Sequence, residues 1–512
     1  MLAQVHSFVL HGIEPGDCEV ELDLADAGEF PGKPVVVGLP DAAVKESIER
    51  VQAAVVNSGF TMPAGRITIN LAPADQPKSG PRYDLPIAVA LLLAQRTIQT
   101  EAHRMLRFAG ELALDGRIRP VSGVINLALL AKREGSTGVV VPVANAAEAS
   151  AVHGIDVFPA DSLAAVVGHL SGEHPIEPVP PAAFDPADAK ADDTLPDFAD
   201  IRGQEGAKRA LMISAAGSHN ALLIGPPGSG KTLMARAMPS ILPPLSREEA
   251  LEVTRVYSAV GKVPVGTPLI HARPVRNPHH TASSVAVIGG GAIPRPGEVS
   301  LAHHGVLFLD EMPEFPRTVL ETLRQPLEDH HVTIARAQGV VRFPARFMLL
   351  AAMNPTPKGY KSAGAAGQRA MDQYLAKLSG PLLDRIDLHI DVPPVPHDRL
   401  MSLEPGVSSA TIREQVLRAR AIQTRRNGGP LKPNATLSHA ELDKLAPLDA
   451  AAADLIKRAM SDLGLSARAY DKVRRVARTL ADLHPEATPE PTPLTLETIA
   501  EAIQYRQLDR QT

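Results

Sequence analysis

Three observations predict an α/β chain built around an open parallel sheet that holds phosphate groups. The first is Gly225-Pro226-Pro227-Gly228-Ser229-Gly230-Lys231-Thr232, which fits G-x-x-x-x-G-K-[ST]. It stands between an apolar run, Ala221–Ile224, and a helical stretch from Leu233, the strand–loop–helix context such a loop requires. The second is Val306-Leu307-Phe308-Leu309, which runs straight into Asp310-Glu311. Four apolar residues suit a strand buried on both faces, and its C-terminal edge is where ligands of open α/β sheets sit. The third is the order of segments. Strand-like and helix-like stretches alternate before this centre, and almost only helix-like ones follow it.

The bulk composition bounds the rest. The 512 residues are 44% hydrophobic and 21% charged, as in a soluble globular protein of about three domains. Tryptophan is absent and aromatics reach only 3%, so the core rests on Ala, Val, Leu and Ile. A net charge of −5 does not advertise a nucleic-acid binder, although a basic lining can be local. The single cysteine, Cys18, excludes an internal disulfide framework and a Cys-rich zinc site. No signal-peptide pattern and no apolar run of about 18 residues is present. A cytoplasmic protein with no membrane partner is expected.

Residues 1–170 read as one α/β domain. Val5–Leu10, Glu19–Leu24 and Val35–Gly38 have strand character. Asp41 caps a helix in which Val44, Ile48, Val51 and Val55 recur at helical spacing. Arg66–Leu71 alternates as a strand does, and Asp84–Ala94 is an apolar helix. Phe108–Val121 reads as a hairpin around Asp115-Gly116. A helix over Ile125–Arg133 and a strand at Gly138–Val143 follow. Residues 171–197, rich in Pro, Ala, Asp and Glu, read as a linker.

Residues 198–395 carry the chemistry. In the loop from Gly225 to Thr232 the glycines let backbone N–H groups turn toward phosphates, and the following helix adds its N-terminal dipole. Lys231 would reach the β- and γ-phosphates of ATP, and Thr232 would hold Mg²⁺. Asp310 would share that Mg²⁺, and Glu311 would polarise the attacking water. Phe347–Met353 is a second buried strand, and Asn354 at its end is placed to sense the γ-phosphate. In Leu382-Leu383-Asp384-Arg385-Ile386-Asp387, Arg385 is the candidate arginine finger for a neighbouring subunit's ATP. The alternative is a surface arginine paired with Asp384 or Asp387.

Two inserts punctuate this region. One spans about 255–304 and carries His279-His280 and His303-His304. Adjacent histidines diverge in strands and helices, so structural hydrogen bonding or contact with a polyanion is expected rather than chelation. The other, Val332–Phe343, alternates on both sides of Gln338-Gly339 and reads as a hairpin. Its Arg336, Gln338 and Arg342 could touch nucleic-acid phosphates without reading sequence. Residues 396–512 read as a helical lid, in which Arg468, with Arg475 as runner-up, could fold back on ATP or simply lie on a basic solvated face.

Several of these stretches resemble known families. Gly80-Pro81, followed by Gly110–Gly123, resembles the proteolytic domain of Lon-type proteases, of the ribosomal-S5-like superfamily. The resemblance implies a Ser–Lys dyad in active members. Here Arg82-Tyr83-Asp84 follows Gly80-Pro81, and the lysine position falls at Ile125 or Asn126. A scaffold without proteolysis is therefore expected. Phe198–Gln204, ahead of a helix over Glu205–Ala216, is similar to the adenine-wrapping segment of AAA+ ATPases. From end to end the chain resembles the YifB/ComM family of magnesium-chelatase-like AAA+ ATPases. The carrying residues are Arg276–Thr281, Pro294–Gly305 running into Asp310-Glu311, Ser379–Arg385 and Leu465–Tyr470. The resemblance implies a P-loop AAA+ core between an S5-like domain and a helical lid. It implies a homo-oligomer, a hexamer, with ATP at its interfaces. For the ComM branch it implies a motor for branch migration on single-stranded or branched DNA. A metal-insertion motor subunit and a remodeller of protein complexes are the alternatives.

Overall fold

The computed structural model describes residues 1–25, 34–186, 194–291, 293–336, 339–355, 377–395, 406–463 and 466–506. It divides into two units. The first comprises Met1–Asp185 with Ala250–Ile270, the second Pro186–Glu249 with His271–Thr512.

The first unit is built on a seven-stranded sheet. Its strands are β1 (Leu2–His11), β2 (Glu14–Ala25), β3 (Val35–Val37), β4 (Arg66–Ala72), β5 (Leu106–Phe108), β8 (Gly138–Pro142) and β9 (Asp156–Ala160), in the order β3-β4-β2-β1-β5-β8-β9. β1 and β2 pair antiparallel with Val5 opposite Val20. Their inward residues Val5, Phe8, Val20 and Leu22 are fully buried, as a period of two dictates. The Asp41 carboxylate accepts from the Val44 N–H at 2.8 Å and starts the helix Ala42–Asn57. Asp84–Ala94 has no polar face, and all but Leu93 of its residues are buried. Its own acid, Asp84, is met by the Arg50 guanidinium at 2.7 Å, which compensates a buried charge.

Two expectations are narrowed here. The hairpin around Asp115-Gly116 is only β6 (Glu111–Leu112) against β7 (Ile118–Arg119). Leu106–Phe108 belongs instead to the main sheet as β5, because it pairs in parallel with β8. The linker composition also misleads. Val179 N–H bonds to the Val157 carbonyl at 2.8 Å and Ala182 N–H to the Ser150 carbonyl at 3.0 Å, so the part of this stretch up to Asp185 belongs to the first unit.

Residues 250–270 join the first unit through bonds to its third long helix, Val124–Arg133. Gly123 N–H donates to the Ser258 carbonyl at 2.9 Å. Asn126 Nδ2 donates to the Arg255 carbonyl at 3.3 Å, and Arg255 Nε donates to Asn126 Oδ1 at 3.1 Å. Asn126 is one of the two positions where a Lon-type lysine would fall, and it serves as a docking residue. Ile125, the other, is fully buried. Arg82 is also buried, with Cζ 4.8 Å from the Phe8 ring centroid and Nη2 3.3 Å from Ser122 Oγ.

The second unit holds a five-stranded, all-parallel sheet in the order β11-β14-β17-β10-β18: β10 (Ala221–Ile224), β11 (Val275–Arg276), β14 (Val306–Leu309), β17 (Met348–Met353) and β18 (Leu388–Asp391). Every residue of β10, β14 and β17 is buried, which explains their uninterrupted apolar sequences. Two small ribbons lie outside the sheet. β12 (Gly289–Gly290) pairs with β13 (Arg295–Pro296), and β15 (His331–Arg336) pairs with β16 (Gly339–Pro344). Gln338 lies outside the described residues. The C-terminal part is helical, with Ser409–Asn427, His439–Leu445, Ala450–Leu463, Ala467–Leu483 and Leu496–Gln504. Val473, Val476, Ala477 and Leu480 of the fourth helix continue the same apolar core as β10.

Candidate functional site

β10 lies between β17 and β18. Its two neighbours continue to opposite sides, so the loop leaving its C-terminal end stands at the crevice of the sheet. The loop Gly225–Gly230 leads into the helix Lys231–Ile241. Gly228 and Gly230 have φ of +76° and +92°, and a Cβ built on either meets nothing within 4 Å. They let the backbone turn while leaving open space against the helix N-terminus, a cradle that suits an anion. Gln204 Nε2 donates to the Ser229 carbonyl at 3.1 Å and to Pro393 at 2.6 Å, tying the predicted adenine segment to this loop and to the chain after β18.

The predicted polar residues converge on this cradle. A cavity of about 360 Å³ is lined by the loop, Lys231, Thr232, Asp310, Glu311 and Asn354. Thr232 Oγ1 donates to Asp310 Oδ2 at 2.9 Å. Lys231 Nζ donates to the Gly225 and Pro226 carbonyls at 2.7 and 2.9 Å and to Asn354 Oδ1 at 3.2 Å. Burial lowers the Lys231 pKa, and the Asp310 and Glu311 carboxylates oppose that shift. A hydroxyl and a carboxylate side by side are the hard oxygen donors Mg²⁺ takes, so the residues present fit Mg²⁺ beside a triphosphate. The ion, when bound, would neutralise charge on the phosphate oxygens.

Glu311 has left-handed backbone, φ +51°, and its N–H donates to Asp310 Oδ1 at 3.0 Å. A non-glycine residue held there costs about 1–3 kcal/mol, a cost found mostly where function requires it. Near its carboxylate is a residue that sequence reasoning left structural: His280 Nδ1 is 4.0 Å from Glu311 Oε2. The expected divergence of the histidine pairs does not occur. The His279 and His280 rings are 4.1 Å apart and the His303 and His304 rings 4.0 Å apart. Neither pair is in a regular element, and His304 has φ +55°, so the periodicity argument did not apply. His303 Nδ1 accepts from the Arg346 N–H at 3.1 Å, the kind of structural hydrogen bonding the sequence suggested.

Arg385 and Arg468 are not brought to this cavity. Arg385 donates through Nη1 to the Pro381 carbonyl at 2.7 Å and pairs through Nη2 with Glu328. Its partner is thus neither Asp384 nor Asp387; the latter is taken by Lys472 at 2.7 Å. Arg468 Nη2 is 3.6 Å from the same Glu328. The runner-up, Arg475, donates to the Leu437 carbonyl at 2.8 Å. Arg336 and Arg342 are exposed on β15 and β16, Arg342 alternating with the buried Val341 and Phe343. Among the described residues, no helix is long and apolar enough to cross a membrane.

Comparisons with known proteins agree with this architecture. Residues 197–400 match the family described as magnesium chelatase, subunit ChlI; residues 20–145 match subunit ChlI of Mg-chelatase; and residues 406–506 match its C-terminal region. The chain is 43% identical to the uncharacterized protein YifB of Salmonella typhimurium, over 99% of this chain and 98% of that protein. It is 42% identical to the competence protein ComM of Haemophilus influenzae, again over 99% and 98%. A shorter match, 30% identical over 27% of this chain and 26% of the relative, is to Lon protease 2 of Bacillus subtilis.

Proposed function

Because the chain belongs to the YifB/ComM family of magnesium-chelatase-like AAA+ ATPases, we propose that it is an ATP-driven ring motor that moves branched or single-stranded DNA. The observation that carries the ring is the separation of the two arginines from the phosphate cradle of their own chain. Among the described residues no arginine lines the cavity around Lys231 and Thr232, yet phosphoryl transfer gains greatly from a guanidinium on the developing charge. Arg385 and Arg468 meet at Glu328, where a second copy's nucleotide could reach them. Each site then needs two chains, and a closed hexamer supplies every site with both halves.

In this reading Lys231 exchanges the Gly225 and Pro226 carbonyls for the β- and γ-phosphates of ATP. Thr232 and Asp310 hold Mg²⁺, Glu311 takes the proton of the attacking water, and Asn354 orients that water. The β15–β16 ribbon offers Arg336 and Arg342 to phosphates, which gives sequence-blind, salt-steep binding. A relative carrying the name competence protein favours incoming DNA as the substrate, and branch migration is the work that the ComM resemblance implies.

The test is ATP turnover with and without forked or three-stranded DNA, with Lys231→Ala as the inactive control and strand displacement as the second readout. DNA that changes neither turnover nor assembly, with no strand displaced, would end the DNA-motor reading. Porphyrin metallation or disassembly of a protein complex would then take its place.

A further inference from the structure

The second unit has a second cavity, of about 330 Å³, walled by the parallel-sheet region and the C-terminal helices. Three of its guanidiniums have no carboxylate in ion-pair range among the described residues. Arg346 Nη1 donates to the Leu431 carbonyl at 3.0 Å, Arg475 Nε to the Leu437 carbonyl at 2.8 Å, and Arg420 Nη2 to Ser218 Oγ. Arg420 Nε is buried with no hydrogen-bond partner among the described residues.

Five acids line the same cavity, and four are engaged elsewhere: Glu249 by Arg273 at 2.7 Å, Asp387 by Lys472 at 2.7 Å, Asp471 by His439 at 2.7 Å, and Glu328 by Arg385 and Arg468. The fifth, Asp384, is within ion-pair range of none of the three guanidiniums among the described residues. Burial, with Arg273 nearby, pulls the Arg420 guanidinium down to about 10, and the Glu249 carboxylate only partly opposes that shift.

Grouping three half-buried guanidiniums with no carboxylate in direct contact is unfavourable unless an anion completes the group. A guanidinium fork matches phosphate oxygens two at a time. The volume is roughly that of ten waters at about 30 Å³ each, more than one phosphate needs.

We propose that Arg346, Arg420 and Arg475 form a second anion site, apart from the phosphate loop, that binds a pyrophosphate-class group. The group comes either free or as the tail of a nucleotide. Single carbonyl or hydroxyl contacts leave two nitrogens of Arg346 and of Arg475, and Nη1 of Arg420, for the ligand. The assignment does not depend on DNA being the motor's substrate.

The experiment uses the full chain carrying Lys231→Ala, which disables the phosphate loop of every copy, so no signal can come from a neighbour's loop. Pyrophosphate is titrated calorimetrically, and melting is followed with and without it. One bound pyrophosphate per chain is expected, together with a rise in melting temperature. Arg420→Gln and Arg475→Gln, each added to that background, should weaken binding at least tenfold and remove the rise. Their ligand-free melting temperatures should stay level or increase, because each removes a half-buried charge with no carboxylate in contact. Titration with ATP separates the sources: tighter binding than pyrophosphate assigns a nucleotide tail, and equal or weaker binding assigns a free anion. Absence of binding in the Lys231→Ala protein, or binding indifferent to both glutamine variants, would overturn the site.

Discussion

Arg385 and Arg468 share one carboxylate, that of Glu328, although 83 residues separate them in the chain. The Glu328 side chain is 52% exposed, so the pairing is weak, about 0–1 kcal/mol. Within the ring proposal both arginines must let go of it to reach a neighbour's nucleotide. Glu328→Gln is therefore expected to raise basal ATP turnover by up to about fivefold. The gain should vanish in Glu328→Gln combined with Arg385→Ala, as measured by steady-state phosphate release.

The cradle predicts a separation of binding from chemistry. Lys231→Ala should abolish both ATP binding and turnover. Glu311→Gln should keep ATP binding and lose about 10²- to 10⁴-fold in turnover, the range of general-base removal. His280→Ala should be milder than either, with turnover down about tenfold at unchanged ATP affinity, because the Nδ1 near Glu311 helps orient that carboxylate. Fluorescent-nucleotide binding beside turnover assays separates the three outcomes.

In the first unit, burial pushes Glu148 up from 4.5 to about 6, against hydrogen bonds from Ser258 and Asn145. Its folded pKa lies above its unfolded one, so the folded state binds the extra proton. Stability therefore falls as pH rises from 4.5 to 6 and stays reduced above that, by about 2 kcal/mol. Glu148→Gln should raise the melting temperature at pH 7, and the advantage should disappear near pH 4.5.

Asp387 behaves in the opposite sense. Burial alone would raise its pKa, but the Lys472 ammonium, His219 and the Asn220 N–H together hold it at about 2. Burial brings Lys472 itself down to about 8, and both are charged at neutral pH. The stability linked to Asp387, about 2 kcal/mol, is present above its unfolded pKa of 3.8 and is lost as pH falls from there toward 2. Lys472→Met leaves a buried carboxylate unpaired and should cost about 3–5 kcal/mol, whereas Lys472→Met with Asp387→Leu should recover most of it. Denaturant melts at pH 7 and pH 3 distinguish these cases.

The sequence made local chemistry legible. The phosphate loop, the strand ending in Asp310-Glu311 and the strand ending at Asn354 are each contiguous, and burial on both faces writes itself as an apolar run. The ribbon at 331–344 was legible because alternation reports a half-buried strand. Long-range pairings were not. Nothing near Glu328 in sequence says that it meets Arg385 and Arg468, and His280 reaches Glu311 only because the sheet brings two loops to one edge. Proline content suggested a free linker at 171–197, but composition cannot show that Val179 and Ala182 find carbonyl partners on the first unit. The periodicity argument for the histidine pairs assumed regular backbone, and a left-handed residue at His304 removed that assumption.

Residues 250–270 make the first unit discontinuous along the gene. A truncation between 171 and 197 would leave the downstream fragment carrying Val253 and Val256, both fully buried in the intact protein, with Ser258 and Arg255 deprived of Gly123 and Asn126. Such a fragment should be sticky and poorly expressed for reasons unrelated to its phosphate loop. Exchange of the first unit between relatives by a single crossover would meet the same obstacle. Three coordinated junctions, at 185/186, 249/250 and 270/271, would be needed to move it as a block.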